Sequence, residues 1–168
     1  MIQEWRGSQK DSLELPSNVM LAVATFARRT RPLAGNEIAV QAFTEYSRND
    51  TVFRAHPNYQ GGGPWHDWVL IDWEGIGRLP ARIEVFIEAS HGTHVVVHSA
   101  EGVPQPHSVL VNECAMEFQA SGDPLLQVVP GSSLVDHCYM FPHSREPGSA
   151  MFELTDPKGW AEKFTNAS

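Results

Sequence analysis

Two alternating segments joined by a glycine turn restrict the fold of this chain more than any other feature. Residues 81–89 alternate apolar and polar side chains, residues 90–93 contain Gly92, and residues 94–99 form a second apolar segment. A period of two is typical of a β-strand with one buried face. Short turns that contain glycine join antiparallel strands. The pattern therefore predicts a β-hairpin.

Other short apolar segments repeat along the chain at intervals of about ten residues. Further strands are predicted near residues 38–47, 52–55, 65–73, 109–111, 125–129, 134–141 and 151–154. A helix is the alternative for the first of these segments. The chain contains 13 glycines and 12 prolines, and many of them separate the segments and favour turns. Many short strands with such turns indicate an all-β barrel or sandwich.

Short helices are predicted on both sides of the strands. The first covers residues 18–30, where apolar side chains recur at helical spacing and where Arg28, Arg29 and Arg31 are assigned to the last turn. Cations in the last turn of a helix interact favourably with its dipole. The second covers residues 157–165, near the end of the chain. The first helix is expected to be amphipathic, and the second is expected to be short.

The chain has 168 residues, which fits one domain with a short appendage. We divide it into an N-terminal arm and helix over residues 1–35 and a β-barrel domain with a short C-terminal helix over residues 36–168. The formal net charge is −8, and it is unevenly distributed: residues 1–54 carry +1 and residues 55–168 carry −9. An acidic β region disfavours nucleic-acid binding and favours a basic partner.

The composition also bears on the cellular setting. No apolar run reaches 18 residues, so we expect no membrane span, and no signal-peptide pattern opens the chain. The two cysteines, Cys114 and Cys138, are too few for a disulfide framework. We therefore expect an intracellular protein.

Aromatic and acidic side chains are concentrated between residues 53 and 74. The candidate peptide-binding residues are Phe53, Tyr59, Trp65, Asp67, Trp68, Asp72, Trp73 and Glu74. Aromatic ring faces attract a cation, and a nearby carboxylate adds to the preference for positive charge. The group is therefore typical of a site for a basic or methylated ammonium side chain. Packing in the hydrophobic core is the alternative role for the same aromatic residues.

Histidines around the predicted hairpin suggest a second kind of site. His91, His94 and His98 are spaced H-x-x-H-x-x-x-H, and His94 and His98 lie on one face of the predicted return strand. Imidazoles placed in this way could ligate a transition metal. No nucleophile elbow is present, and Cys138 and His137 are neighbours on a predicted strand, so their side chains point apart. The sequence therefore offers no catalytic residue apart from this metal alternative.

Two stretches resemble the bromo-adjacent homology (BAH) domain family. The sequence PARIEVFIE over residues 80–88, followed by the turn at Gly92 and the strand at 95–97, is similar to the family's a-R-I-x-x-I-x-E strand and its partner. Residues 124–130 and 134–140 resemble the family's v-P-x-x-x-I-x-g-k-C-x-V segment. The resemblance implies a β-barrel interaction module of the kind often found in chromatin proteins.

Two further features qualify what this resemblance implies. Residues 56–69 are similar to a motif of domains in mobile-element proteins. After the return strand the family usually carries a Trp or Tyr and an Arg-Pro pair, whereas residues 98–102 read HSAEG here. The resemblance therefore implies the barrel and the interaction role, but not the residues of the family's own histone-reading site.

Together these observations predict a mainly β protein, a small SH3/BAH-like barrel with flanking short helices. We expect a non-catalytic module without a cofactor that binds a protein or a basic or methyl-lysine peptide in a chromatin or mobile-element context. Nuclear location is implied by the same context. A small metal-dependent β-barrel enzyme that uses the histidines, and a structural subunit that docks through the arginine-bearing helix, are the alternatives. The oligomeric state stays open.

Overall fold

The computed structural model describes residues 15–30, 41–89, 92–102, 112–142 and 151–155. These residues form one α-helix and twelve β-strands. In chain order they are α1 (Ser17–Thr30), β1 (Gln41–Phe43), β2 (Glu45–Arg48), β3 (Thr51–His56), β4 (Trp65–His66), β5 (Trp68–Trp73), β6 (Gly77–Ala89), β7 (Gly92–Gly102), β8 (Asn112–Met116), β9 (Leu126–Pro130), β10 (Leu134–His137), β11 (Tyr139–Pro142) and β12 (Met151–Thr155). The predicted mainly β class is confirmed. The predicted strand at 109–111 and the closing helix at 157–165 lie outside the described residues.

The described residues divide into two compact units. The first unit takes its residues from Met1–Asp67, Ile83–Val97 and Leu126–Ser132, and the second takes the remainder. The strands β6 and β7 are adjacent in their sheet, as the predicted hairpin requires, and each contributes residues to both units.

The helix α1 covers one core of the first unit. Asn18 lies in its first turn, and its Oδ1 accepts a hydrogen bond from the Val19 N–H at 2.9 Å. Val19 and Val23 are buried one turn apart and pack on apolar residues of β6 and β7. The predicted helix at 18–30 therefore agrees with the structure to within one residue. None of the helices in the described ranges is long and apolar enough to span a membrane.

Three antiparallel strands, β2, β3 and β4, form a small sheet in the first unit. Strand β3 lies in the middle, with Tyr46 opposite Phe53 on one side and His56 opposite Trp65 on the other. The turn between β2 and β3 contains Asn49 and Asp50, both with positive φ (48° and 62°). Turns with two positive φ angles match the twist of a hairpin.

The predicted strand at 65–73 is interrupted at Asp67. On one side of this residue β4 pairs with β3, and on the other side β5 pairs with β6 and β10. The Asp67 backbone joins strands β3 and β6. Its N–H donates to the Arg54 carbonyl and its carbonyl accepts from the Ile83 N–H, both at 2.9 Å. Residues 69–71 are all buried, so both faces of β5 are covered. The chain therefore leaves the first unit at Asp67 and enters the second at Trp68.

An antiparallel sheet has the strand order β10-β5-β6-β7-β8-β12-β11, and in addition β1 pairs with β6 and β9 pairs with β7. The second unit takes residues 68–82 and 98–102 of this sheet together with β8, β10, β11 and β12. Its core includes Leu70, Ala100, Cys114 and Cys138, and Trp68 packs against this group. Both cysteines are free thiols, and burial raises the pKa of Cys114 to about 12. Among the described residues the strand order has two ends, β10 and β11, and no pairing joins them. The structure therefore establishes antiparallel β-sheets.

Candidate functional site

One face of the three-stranded sheet in the first unit carries polar and aromatic side chains. Glu45 is paired with Arg54, and His56 is paired with Trp65. Directly paired residues project to the same face, and residues two apart on a strand share that face, so these four side chains lie together. Phe53 projects to the opposite face and is 1% exposed. Phe53 is therefore a core residue and is not part of the polar and aromatic face.

The loop after β3 places Tyr59 beside this face. The Asn58 N–H donates to His56 Nδ1 at 3.0 Å, and Asn58 Oδ1 accepts from the Gly63 N–H at 3.2 Å. The loop closes where the Tyr59 N–H donates to the Gly63 carbonyl at 2.8 Å. Gly63 has a φ of 102°, which a residue with a Cβ rarely adopts. The loop is thus ordered by hydrogen bonds of its own backbone and of the Asn58 side chain.

The result is a row of three rings, His56, Tyr59 and Trp65. The ring centroids of Tyr59 and Trp65 are 5.7 Å apart, and those of His56 and Tyr59 are 6.1 Å apart. These spacings are typical of aromatic pairs in contact. Trp65 is 52% exposed even though it belongs to this row. A large aromatic side chain that is ordered by its neighbours and still half exposed is the most distinctive feature of this face.

Asp67 holds Trp65 in place. The Trp65 Nε1–H donates to Asp67 Oδ1 at 2.8 Å, and the backbone N–H of Arg54 donates to Asp67 Oδ2 at 2.7 Å. Hydrogen bonds to a carboxylate are stronger than those between neutral groups. Each carboxylate oxygen also has a second acceptor site. Asp67 therefore fixes the indole to strand β3 and adds a negative charge at the edge of its ring.

Arg54 and Glu45 complete this face, and the sequence did not single them out. The Arg54 Nε–H donates to Glu45 Oε1 at 2.9 Å, and this hydrogen bond raises the pKa of Arg54, while burial opposes the shift. The guanidinium carbon of Arg54 lies 5.8 Å from the centroid of the Tyr59 ring, within the range of a cation–π interaction. We call the group formed by Glu45, Arg54, His56, Tyr59, Trp65 and Asp67 the Trp65 face.

The predicted peptide-binding residues are divided between the two units. Phe53, Tyr59, Trp65 and Asp67 belong to the first unit, and Trp68, Asp72, Trp73 and Glu74 belong to the second.

In the second unit, Trp68 and Trp73 are half-buried, whereas Asp72 and Glu74 are exposed. Trp68 packs against the core of this unit. The indole Nε1 of Trp73 is buried and has no hydrogen-bond partner in the part of the chain that the structure describes. Trp68 is therefore explained by packing, and among the aromatic residues predicted for peptide binding Trp65 is the exposed one.

The two described histidines of the metal alternative, His94 and His98, are engaged in different contacts. His91 lies outside the described residues. His94 Nδ1 is 3.0 Å from the Gly92 carbonyl, and its ring centroid is 4.7 Å from that of Phe26. His98 is buried, with Nε2 only 2.7 Å from the Glu117 carbonyl. Across the described ranges, no three His, Cys, Asp or Glu side chains are grouped as a metal site would need.

The outer side of α1 exposes apolar side chains next to arginines. Met20 is 58% exposed and Leu21 is 67% exposed, and Arg28 and Arg29 are exposed in the last turn. Arg31, which the sequence also assigned to this turn, lies outside the described residues. Docking of a larger assembly through this helix stays a prediction.

Comparisons with protein-family models, with curated proteins and with solved structures each find no match for this chain. The functional proposal therefore depends on the residues of the Trp65 face and on their geometry. The most informative of these residues are Trp65, Asp67, Tyr59 and Arg54. The spacing of Trp65 and Asp67, two residues apart, could be recognised in the sequence. The pairing of Arg54 with Glu45 could not, because it depends on strand register.

Proposed function

We propose that this protein is a non-catalytic interaction module and that its Trp65 face binds a basic peptide segment. The observation that carries the proposal is the half-exposed indole of Trp65, which the Asp67 carboxylate holds in place. Aromatic side chains that are rigid and partly exposed are common anchors of protein interfaces. Such an anchor contributes contact area without the entropy cost of ordering a flexible side chain.

Charge favours a basic partner over an acidic one. The Trp65 face has two carboxylates, Glu45 and Asp67, and one guanidinium, Arg54. The whole chain carries a net charge of −8. A negative field attracts basic segments, and an exposed indole face binds a Lys, methyl-lysine or Arg cation. The cation would lie on Trp65 with Asp67 near the ring edge.

The family context belongs to the same proposal. We propose that the antiparallel strands form an SH3/BAH-like barrel, as the motif resemblance implies, and that the partner is a chromatin or mobile-element protein in the nucleus. The support comes from the strand β6, its partner β7 and the segments β9 to β11, which occupy the positions of the resembling motifs. A methylated lysine in a histone tail is the most specific ligand of this class.

Isothermal titration with a panel of Lys-rich histone peptides tests the proposal. The peptides are matched in sequence and carry one lysine that is unmodified, trimethylated or acetylated. We expect the charged forms to bind and the acetylated form to bind more weakly, because acetylation removes the cation. Trp65→Ala is expected to lower the affinity by roughly tenfold or more, as the loss of an interface anchor does.

A matched control separates the Trp65 face from exposed aromatic residues in general. Tyr139 is 56% exposed on β11, so Tyr139→Ala removes a comparable ring elsewhere. This variant should bind the peptides as the unchanged protein does. The proposal fails if no peptide binds above background, or if Trp65→Ala and Tyr139→Ala have the same effect.

A further inference from the structure

Arg54 already occupies the ring that a cation of the partner would meet next to Trp65. Its guanidinium carbon lies 5.8 Å from the Tyr59 centroid, and the Tyr59 centroid lies 5.7 Å from that of Trp65. A cation over Tyr59 is therefore supplied by the chain itself. The indole of Trp65 remains half exposed beside it.

The contacts of the Arg54 side chain are few and partly exposed. It donates one hydrogen bond, from Nε–H to Glu45, and among the described residues it has no other hydrogen-bond partner. The side chains of Arg54 and Glu45 are 35% and 32% exposed. Exposed ion pairs and exposed cation–π contacts are individually weak. The guanidinium can therefore leave the ring at little cost in stability.

The backbone of Arg54 is held independently of its side chain. Its N–H donates to Asp67 Oδ2 at 2.7 Å, and its carbonyl accepts from the Asp67 N–H at 2.9 Å. A change of the Arg54 side chain leaves both bonds in place. The position of Trp65, which depends on Asp67, is likewise expected to persist.

We infer that Arg54 is a specificity-determining residue of the Trp65 face, an internal cation that competes with the partner's cation for the Tyr59 ring. This inference rests on the function proposed above. While Arg54 stays on Tyr59, its charge and its position disfavour a second cation on this pair of rings. A small ammonium ion is then bound weakly, and a peptide binds only if further contacts compensate. Arg54 on the Tyr59 ring therefore makes the Trp65 face select a basic peptide segment over small free cations.

The test uses the full chain and tetramethylammonium chloride as the probe, with sodium chloride as the ionic-strength control. The ¹⁵N-¹H signal of the Trp65 Nε1–H reports binding of the probe at the Tyr59 ring, because the centroids of the two rings are 5.7 Å apart. Arg54→Gln removes the internal cation and is expected to raise the affinity for the probe roughly threefold, the size of an exposed cation–π contact. Arg48→Gln removes an equal charge from the neighbouring strand β2 and is the matched control.

A second pair of variants identifies the ring. In a Tyr59→Leu background the ring for which the two cations compete is absent, so Arg54→Gln should no longer raise the affinity for the probe. This comparison is a double-mutant cycle between Arg54 and Tyr59. The cycle compares the unchanged protein, the two single variants and the double variant at one temperature. The coupling between Arg54 and Tyr59 can therefore be measured even if a single variant loses some stability.

Three results would overturn the inference. The affinity of Arg54→Gln for the probe could equal or fall below that of the unchanged protein, Arg48→Gln could raise it equally, or the gain could persist without Tyr59. Failure of the proposed function is a separate result: peptide binding would then be absent or unaffected by Trp65→Ala. Peptide binding that depends on Trp65, together with no effect of Arg54→Gln, rejects the inference alone.

Discussion

Asp67 shows how one residue can define both the fold and the candidate site. Its carboxylate receives the Trp65 indole N–H and the Arg54 amide N–H, and its backbone joins β3 to Ile83 of β6. Its sequence position beside Trp65 indicated a counter-charge for a bound cation. The structure adds a second role, because the same carboxylate fixes the orientation of the indole. Only the second role involves a distant residue, because the carboxylate is anchored by the backbone N–H of Arg54, 13 positions away.

At the residue scale, Glu101 is expected to make the stability of the second unit depend on pH. Its carboxyl group shares a hydrogen bond with that of Glu117, which raises the pKa of Glu101 above its ordinary 4.5. The folded protein then holds this proton more tightly than the unfolded chain does. Folding is therefore favoured at the acid end, and stability falls as pH rises through the interval between 4.5 and the raised pKa.

The variant Glu101→Gln tests this expectation. The amide can donate to Glu117 without a proton from solution, so the variant should be more stable at pH 7 by up to about 1 kcal/mol, as for other exposed charge pairs. The gain should shrink near pH 4, below the ordinary pKa of 4.5, where Glu101 is protonated in both the folded and the unfolded chain. Thermal unfolding at both pH values measures it, with Glu88→Gln as the control. An equal gain at both pH values would contradict the prediction.

At the scale of elements, the alternating segment at 81–89 and the helical spacing at 18–30 were read correctly because both signals are local. The prediction of one continuous strand at 65–73 was wrong, because the interruption at Asp67 depends on backbone hydrogen bonds to β3 and β6. The turn at Asn49 and Asp50 was not predicted from the sequence. Both residues adopt positive φ, which asparagine and aspartate tolerate better than most residues.

The turn between β2 and β3 provides an element-scale prediction. Asp50 has a φ of 62°, so Asp50→Gly removes the steric cost of that conformation. We expect the free energy of unfolding to rise by a few tenths to about 1 kcal/mol. Asp50→Val should lower it, because a β-branched residue resists positive φ. Chemical denaturation of the two variants measures the difference, and the reverse order of stability would contradict it.

At the scale of the whole molecule, the net charge of −8 leads to a prediction about binding rates. The Debye length falls from about 10 Å at 0.1 M salt to about 3 Å at 1 M. The association rate of a Lys-rich peptide should therefore fall steeply over this range, whereas its dissociation rate should change less. Stopped-flow measurement of the Trp fluorescence would follow both rates. An association rate that salt leaves unchanged would show that the acidic field does not attract the peptide.

The sequence by itself determined the β-rich class, the helix before the strands and the acidic character of the chain, because propensity, periodicity and charge are properties of neighbouring residues. Only the tertiary structure decided which aromatic residues are open. Phe53 is buried and Trp65 is half exposed, although both were chosen for the same site. Their environments differ because strand register, set by pairing between distant segments, determines which face of the small sheet each side chain joins.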